Sequence, residues 1–358
     1  MKFWIFATGS FIVGAIVGSF LNVCIYRLPR GLSLYRPRRS FCPTCRSSLK
    51  GKELVPILSW LVLGRHCSRC HTSISFRYPL VELLTGLLFA VFQIIFPQAW
   101  GFWVLVSLLV VATFIDLETL TIPNSVTWGG VLAGTGLSFV FPSSLEIASA
   151  TAGLLTALSG AMTGYLLLWG VLEVGKWAFG KIRLGWDSPR EFCFSYKGES
   201  SLFECAGEIW RGEEMFVRKN DELMIETDFW KLSDDVKGSG VIRLRKGYLL
   251  NSQGNTPINE GQKILGSATS VSIPREAMGW GDVKFLAAIG AFIGVPGVLF
   301  TLFFASLFGA LIGACILLFR QCHEGMPIPF GPFLAMGTLA WIFGGQTLWN
   351  IYFSRFGI

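Results

Sequence analysis

The chain has 358 residues, of which 52% are hydrophobic and only 15% are charged, and its formal net charge is +7. This composition is typical of a membrane protein and argues against a soluble globular chain. The positive charge is concentrated in one loop beside an apolar run, which favours attraction to anionic lipid over a nucleic-acid partner.

Eight apolar runs are candidate membrane helices, because a spanning helix needs about 20 apolar residues. They cover residues 3–26, 79–96, 100–116, 125–142, 147–179, 283–295, 297–319 and 331–353. The first run lacks a strongly basic start and a small-residue cleavage site, so we interpret it as a retained helix and not as a secretory signal. The predicted fold is a polytopic α-helical membrane protein with about eight transmembrane helices.

The first loop predicts the orientation. Residues 27–77 contain eleven Lys or Arg and a single acidic residue, Glu53. The excess of basic residues predicts that this loop is cytoplasmic. Counting spans from it then places Asp116, residues 181–281 and the loop at 320–329 on the cytoplasmic side.

Residues 181–281 are soluble in character, with fourteen basic and fifteen acidic residues. Short alternating stretches at 191–196, 215–218, 223–227 and 241–244 predict β-strands separated by turns. We therefore expect a small β-rich cytoplasmic insert, which decorates the loop or, alternatively, gates the site or binds a partner. The predicted divisions are 1–27 (first helix), 28–78 (cysteine loop), 79–180 (helices two to five), 181–278 (insert) and 279–358 (helices six to eight).

Four of the nine cysteines form two Cys-x-x-Cys pairs, Cys42 with Cys45 and Cys67 with Cys70. This spacing predicts a zinc-ribbon-like site in which four thiolates close a tetrahedron. Nearby Arg46, Arg65 and Arg69 should favour thiolates. Four cysteines fill a zinc site, so we expect a structural metal. The alternatives are two disulfides, which a reducing compartment disfavours, or ligation by the adjacent His66 and His71.

Two aspartates stand at the ends of predicted membrane helices. Asp116 ends the third run, and Asp282 begins the sixth within Gly279-Trp280-Gly281-Asp282. Each has a structural interpretation: Asp116 as a solvated helix end and Asp282 as a helix N-cap. The two glycines favour a site, because they allow close approach of a substrate. Two carboxyl groups sharing a site can split the roles of general acid and base for peptide hydrolysis. Glu118 is the nearest alternative to Asp116, but it should face another side of the helix.

Several short motifs occur in a fixed order along the chain. They are Gly18-Ser-Phe-Leu-Asn22-Val, Tyr26-Arg27-Leu28-Pro29, the double Cys-x-x-Cys, Pro56-Ile-Leu-Ser59-Trp60, Ile115-Asp116, Ile122-Pro123, Arg275-Glu276-Ala-Met-Gly279-Trp-Gly281-Asp282-Val-Lys284 and Pro329-Phe-Gly331-Pro332-Phe-Leu. This set resembles the prepilin peptidases, or type IV leader peptidases, which are membrane aspartic proteases with a Gly-x-Gly-Asp motif. The resemblance covers nearly all of the chain except the insert.

The resemblance implies that Asp116 and Asp282 are the catalytic pair, supported by Gly279, Gly281 and Lys284. It implies cleavage of the basic leader of type IV prepilins or type II secretion pseudopilins at the cytoplasmic face of the bacterial inner membrane.

Many members of the family also methylate the new amino terminus with S-adenosylmethionine, which by resemblance assigns cofactor binding to Gly18 and Asn22. For Asn22 the alternative is a polar contact inside a helix. Two other functions stay open: a non-enzymatic zinc-ribbon scaffold or transporter component, and a methyltransferase that lacks peptidase activity.

Overall fold

A computed structural model gives the fold of the chain. It describes residues 2–37, 39–98, 100–179, 181–216, 221–232, 236–245, 247–251, 254–274, 279–319 and 328–355. The motif residues at 275–278 and most of the loop at 320–329 lie outside this part of the chain. The structure divides into two compact units. The first, the membrane unit, comprises Met1–Trp169 together with Gly279–Ile358, and the second comprises Gly170–Met278.

The described residues form ten α-helices: α1 Lys2–Arg27, α2 Leu58–Val62, α3 Arg77–Ile95, α4 Gly101–Thr119, α5 Asn124–Val140, α6 Ala150–Phe179, α7 Gly212–Met215, α8 Trp280–Phe319, α9 Gly331–Ala340 and α10 Gln346–Arg355. A single π-helical turn, Trp341–Gly345, joins α9 to α10. Five helices, α1, α3, α4, α6 and α8, are long and apolar enough to cross a membrane. The chain therefore has the helices of a membrane protein, whereas the count of eight crossing segments stays a prediction.

Helix α8 contains a sharp break at Gly294, where φ is 69° and ψ is −175°. Only glycine adopts this backbone conformation readily. A Cβ placed on Gly290 would lie 2.9 Å from the Val298 side chain, although eight residues of straight helix would separate them by about 12 Å. The chain therefore turns back on itself here. The predicted runs 283–295 and 297–319 place the break at Pro296, and the observed break lies two residues earlier.

Helices α1 and α3 pack along a seam of glycines. A Cβ on Gly14 would lie 2.8 Å from the Gly86 Cα, and one on Gly18 would lie 2.8 Å from the Glu82 Cα. The two glycines of α1 are four residues apart and thus share one face, as in other small-xxx-small helix contacts in membranes. This packing fixes the two helix ends that the cysteine loop connects.

The first half of α8 is surrounded by other helices. Its residues from Val283 to Ala288 include several side chains with no exposed area. A Cβ on Gly134 of α5 would lie 2.8 Å from the Ala291 Cβ, and one on Gly164 of α6 would lie 2.6 Å from the Leu286 carbonyl oxygen. Such close contacts require small residues, and they bury the helix that begins with Asp282.

The second unit contains one antiparallel eight-stranded sheet, in the order β3-β2-β1-β8-β4-β5-β6-β7. The strands are β1 Lys181–Ser195, β2 Leu202–Cys205, β3 Glu208–Arg211, β4 Leu223–Leu232, β5 Val236–Arg245, β6 Tyr248–Asn251, β7 Gly254–Pro257 and β8 Lys263–Pro274. The first and last strands pair, with Lys181 opposite Pro274. The two ends of this segment therefore lie side by side.

One face of the sheet carries the core of the second unit. In β4 the side chains alternate, so that Leu223, Ile225, Trp230 and Leu232 are buried. Three of the four stretches predicted as strands fall largely within β1, β4 and β5. In the stretch at 215–218, Met215 ends the short helix α7 instead of lying in a strand, and residues 217 and 218 lie outside the described part of the chain. Met215 is buried in the core of the second unit.

We predict that Gly14→Ala lowers the stability of the membrane unit by roughly 1–3 kcal/mol, the usual range for overpacking. The added methyl group would meet backbone atoms of α3, which cannot move independently of their helix. The measurement is thermal unfolding of the full chain in detergent. The matched control is Gly9→Ala on the same helix, where a Cβ meets nothing within 4 Å. An equal effect of both variants would contradict the glycine seam.

Candidate active site and metal site

Asp116 lies in the last turns of α4 and is only 3% exposed. Its Oδ2 accepts a hydrogen bond of 2.8 Å from the backbone N–H of Gly331. Because Gly331 is the first residue of α9, its N–H is one of the amides that the helix leaves unpaired, and the positive end of the helix dipole lies there. The start of α9 is therefore suited to a negative charge on Asp116.

Asp282 lies in the first turn of α8 and is 8% exposed. Its Oδ1 is buried and has no hydrogen-bond partner among the described residues. A Cβ on Gly281 would lie 3.0 Å from the backbone nitrogen of Ile122, and one on Gly279 would lie 3.4 Å from the Asp282 Oδ2. Glycine at these positions thus lets α8 begin against the segment that follows α4.

The two aspartates lie within electrostatic range of each other. Their carboxyl groups are near enough for their charges to repel each other, although the residues are far apart in the chain. Lys284, one turn into α8, donates a hydrogen bond of 2.8 Å from Nζ to the Asn124 Oδ1 at the start of α5. This bond and the Gly281 contact tie the start of α8 to residues 122–124.

Gly331 is a site residue that the sequence reasoning missed. A Cβ there would lie 2.8 Å from the Asp116 Oδ2, so a larger residue would displace the carboxyl group. The sequence does mark this position, because in the motif Pro329-Phe-Gly331-Pro332 a glycine directly precedes a proline at a helix start. Spacing alone, however, did not link Gly331 to Asp116.

Glu118 faces away from the aspartate pair, as expected for a residue two positions along a continuing helix. Its carboxylate forms an ion pair with the Arg77 guanidinium at the start of α3. The end of α4 therefore carries Asp116 toward α9 and Glu118 toward α3.

The four predicted cysteine ligands come together. The Sγ atoms of Cys42, Cys45, Cys67 and Cys70 all lie within 4.8 Å of one another. The Sγ atoms of Cys42 and Cys70 are 3.8 Å apart, which matches the edge of a tetrahedron of about 2.3 Å Zn–S bonds. The group could therefore hold a metal ion. The His66 Nδ1 instead contacts the Gly64 carbonyl oxygen at 2.6 Å.

The two Cys-x-x-Cys pairs form knuckles with the same backbone pattern. In the first, Arg46 N–H donates to the Cys42 carbonyl at 2.9 Å, and in the second His71 N–H donates to the Cys67 carbonyl at 3.0 Å. Arg46 and His71 both have a φ of 55°. Isolated bridges, Phe41 with Ser48 and His66 with Ser73, close the two hairpins. The shared turn explains how two short loops present four thiols to one point.

Hydroxyl groups, more than the predicted arginines, set the thiol acidity. The Thr72 hydroxyl and then its backbone lower the pKa of Cys70 to about 6. The side chain of Ser47 likewise lowers the pKa of Cys45. Burial raises the pKa of Cys42. The lowered pKa values of Cys45 and Cys70 favour the thiolate, which is the metal-binding form.

A cavity of about 420 Å³ lies between the cysteine loop and the ends of α1, α3 and α4. Its wall includes Asn22, Tyr78 and Glu82 from the helices and Trp60 and Cys67 from the loop. The volume falls in the range of about 300–1,000 Å³ that small-molecule sites occupy.

Asn22 is 3% exposed and points into this region. Its Nδ2 donates to the Tyr78 carbonyl at 3.0 Å, whereas its Oδ1 is buried without a partner among the described residues. An unpaired buried acceptor is costly and calls for a donor from a ligand or water. Gly18 does not line the cavity, and its close contact with Glu82 gives it a packing role.

The loop segment just before Ser59 and Trp60, which line the cavity, has a strained backbone conformation. Ile57 has φ 63° and ψ −51°, and the Leu58 N–H reaches back to the Pro56 carbonyl at 2.6 Å. This is a tight three-residue turn that is rare for a β-branched residue. The buried Glu82 carboxylate holds it by accepting the Ile57 N–H at 2.7 Å. Strain of this kind is concentrated at functional sites.

The chain matches two described families. Residues 12–96 match the bacterial peptidase A24 N-terminal domain, and residues 103–187 and 263–314 match the type IV leader peptidase family. The second match omits residues 188–262, which contain most of the sheet of the second unit.

Named relatives extend these matches. The chain is 28% identical over 387 residues to a prepilin leader peptidase/N-methyltransferase of Aeromonas hydrophila, covering 99% of this chain and 96% of the relative. It is 36% identical to the proteins of the same name from Pectobacterium carotovorum, covering 51% of this chain and 70% of the relative, and from Klebsiella pneumoniae, covering 51% and 80%. No solved structure matches. The chain therefore belongs to the type IV leader peptidase family, the prepilin leader peptidases.

Proposed function

We propose that this protein is a membrane aspartic endopeptidase that removes the leader peptide of type IV prepilins or type II secretion pseudopilins and then N-methylates the new amino terminus. Family membership supports both activities, since the curated relatives carry both in their names. The observation that carries the peptidase assignment is that two buried carboxyl groups, Asp116 and Asp282, lie at the ends of apolar helices within electrostatic range of each other.

The two carboxyl groups divide the work of hydrolysis. Asp116 is the general base, because the Gly331 N–H stabilises its negative charge. Asp282, whose Oδ1 has no partner among the described residues, keeps the shared proton. Asp116 removes a proton from water, the water oxygen bonds to the scissile carbonyl carbon, and Asp282 protonates the leaving amine. Gly279, Gly281 and Lys284 support the pair by fixing the start of α8.

The site faces the cytoplasm of a bacterial inner membrane in this proposal. Asp116, Asp282 and the loop with eleven basic residues would all lie on the side that the positive-inside rule assigns to the cytoplasm. The break at Gly294 supports eight crossings, because it divides α8 where two spans were predicted. The same count of spans assigns the β-rich insert, residues 181–278, to the cytoplasm.

The cysteine cluster holds a structural zinc ion in this proposal. Cys42, Cys45, Cys67 and Cys70 supply four thiolates and leave no open position for substrate or water. Cys42 and Cys67 also line the cavity. The ion would therefore fix one wall of the cavity rather than take part in the chemistry.

The cavity is the proposed site for S-adenosylmethionine, which supplies an electrophilic methyl group when bound. Asn22 would accept a hydrogen bond through its unpaired Oδ1, and Glu82 places a carboxylate near a cationic ligand. Trp60 and Tyr78 offer apolar faces to an adenine ring. Gly18 would act indirectly, by letting α1 approach α3 closely enough for Asn22 to reach the cavity.

The competing functions have less support. A zinc-ribbon scaffold or transporter component has no need for two buried carboxyl groups that repel each other. A methyltransferase without peptidase activity would not require the Gly331 N–H beside Asp116. Both competing functions predict that the aspartates can be replaced without loss of leader cleavage.

We predict that Asp116→Asn and Asp282→Asn each lower the rate of prepilin cleavage by about 10²–10⁴, the usual contribution of a general acid or base. Asparagine keeps the size of the side chain and removes proton exchange. The measurement is cleavage of a coexpressed or purified prepilin. Asp187→Asn, an exposed position in β1, is the matched control and should cleave normally. Cleavage at the wild-type rate by either active-site variant would refute the peptidase assignment.

Gly331→Ala should lower kcat for cleavage by about tenfold or more and change KM little. The added methyl group would lie 2.8 Å from the Asp116 Oδ2, so the carboxyl group must shift, and misplacement by about 1 Å can cost about 10² in rate. Steady-state kinetics on a leader-containing peptide test this. Gly344→Ala, where a Cβ meets nothing within 4 Å, should behave as wild type. A kcat equal in both variants would contradict the role of Gly331.

Cys67→Ser should release the bound metal and reduce methylation more than cleavage. The thiolate is both a metal ligand and part of the cavity wall, whereas the aspartate pair is built from α4, α8 and α9. The measurements are zinc per chain by elemental analysis, cleavage, and methyl transfer to a pre-cleaved pilin. Cys193→Ser in β1 is the control and should keep full metal content. Retention of zinc by Cys67→Ser would disprove the four-cysteine site.

A further inference from the structure

An ion pair in the wall of the cavity has no role in the functions proposed so far. Arg77 begins α3 and Glu118 stands near the end of α4, and both line the cavity. Their side chains are 14% and 33% exposed, respectively. The pair is therefore partly buried and open to the cavity on one side.

The Arg77 guanidinium has unused hydrogen-bonding capacity. Its Nε is buried without a partner among the described residues, while Nη1 contacts Glu118. The guanidinium lies over the Tyr78 ring, 4.7 Å from the ring centroid, which fixes its plane. A buried donor of this kind needs an acceptor, and a peptide carbonyl entering the cavity would supply one.

Glu118 differs from the other acidic residues of the cavity. Glu53 accepts hydrogen bonds from the Lys50 backbone N–H at 2.6 Å and from the Ser68 hydroxyl. Glu82 is bound to the Ile57 backbone N–H. Those two carboxylates hold the loop in place. Glu118 is paired with a side chain instead of the backbone, so an incoming ammonium group can join or replace its partner without unfolding the wall.

Glu118 lies on the same helix as Asp116 and close to it. It follows Asp116 by two residues on α4, so their Cα atoms are within about 6 Å of each other while their side chains point to different sides. Leader cleavage creates a new α-amino group at the aspartates, and methylation must occur on that same nitrogen. The product therefore has to reach the cavity, and Glu118 is the carboxylate of the cavity wall that shares a helix turn with Asp116.

We propose that the Arg77–Glu118 pair is the binding point for the new amino terminus of the cleaved substrate, with Glu118 accepting hydrogen bonds from its α-ammonium group and the Arg77 Nε donating to its first carbonyl. The pair thereby sets the order of the two reactions, because an uncleaved chain has no ammonium group at this position. This inference rests on the proposed methyl transfer and assigns its peptide subsite.

The test uses the full chain in detergent and a pre-cleaved pilin peptide, so that it does not depend on the peptidase step. Binding is compared for the peptide with a free α-amino group and for the same peptide with an acetylated amino terminus. The wild type should prefer the free amine by about tenfold or more, the range of a charge-assisted hydrogen bond. Glu118→Gln should reduce this preference to within about twofold and raise the KM for the peptide, but not for S-adenosylmethionine, in methyl transfer.

Two further variants separate binding from folding. Glu173→Gln removes a glutamate that is ion-paired with Lys176 on α6, and it should keep the wild-type preference. Arg77→Lys keeps the positive charge and should retain the preference for the free amine. Loss of the preference in Arg77→Lys together with a lower unfolding temperature would show a purely structural pair and overturn the inference.

Two other results would also overturn it. One is a wild type that binds the acetylated and the free peptide equally; the other is a Glu118→Gln variant that keeps the full preference. A wild type that binds the free peptide selectively but transfers no methyl group would instead refute the proposed methyltransferase activity, and the reaction order inferred here would fall with it.

Discussion

The site depends on one interaction, the hydrogen bond from the Gly331 N–H to the buried Asp116 carboxyl group. A carboxyl group at the end of an apolar helix is costly unless a donor or a partner charge compensates it. Here the donor is the first amide of α9, which the helix itself leaves unpaired. Because Asp282 of α8 lies within electrostatic reach of the same group, the starts of α8 and α9 and the end of α4 must converge on one place.

That convergence requires glycine, and the reason is the lipid environment. Inside a membrane, helices gain little from burying apolar surface against each other, so association depends on close contact. Gly281 brings α8 against the Ile122 backbone, Gly331 brings α9 against Asp116, and Gly14 brings α1 against α3. The same residue type thus serves the candidate active site and the packing that supports it. A glycine motif in such a chain indicates that another segment packs closely against it. Only the atoms in contact with the glycine show whether that packing supports a site or the fold.

The sequence predicted the features that are carried by residue type and spacing. Apolar runs located the helices, and paired Cys-x-x-Cys spacing located the ligands of a cluster that the structure brings together. The sequence could not supply contacts between distant segments. Gly331 meets Asp116 across 215 positions of the chain, and Arg77 pairs with Glu118 across 41. Local alternation also misled at Met215, where a buried apolar side chain belongs to a short helix. The strained backbone at Ile57 could not be predicted from the sequence, because isoleucine rarely occurs in a turn of this kind.

The last turn of α4 connects the two proposed activities physically. It presents Asp116 to the start of α9 and Glu118 to the start of α3, so a shift of this turn would move both side chains together. The cysteine loop contributes to the same cavity as the end of α4. Cys42 and Cys67 of the loop line this cavity, and so do Arg77 and Glu118. A metal ion bound by the four cysteines would therefore also limit where Arg77 can reach. The two proposed activities then depend on the same helix end, where Asp116 and Glu118 are two residues apart.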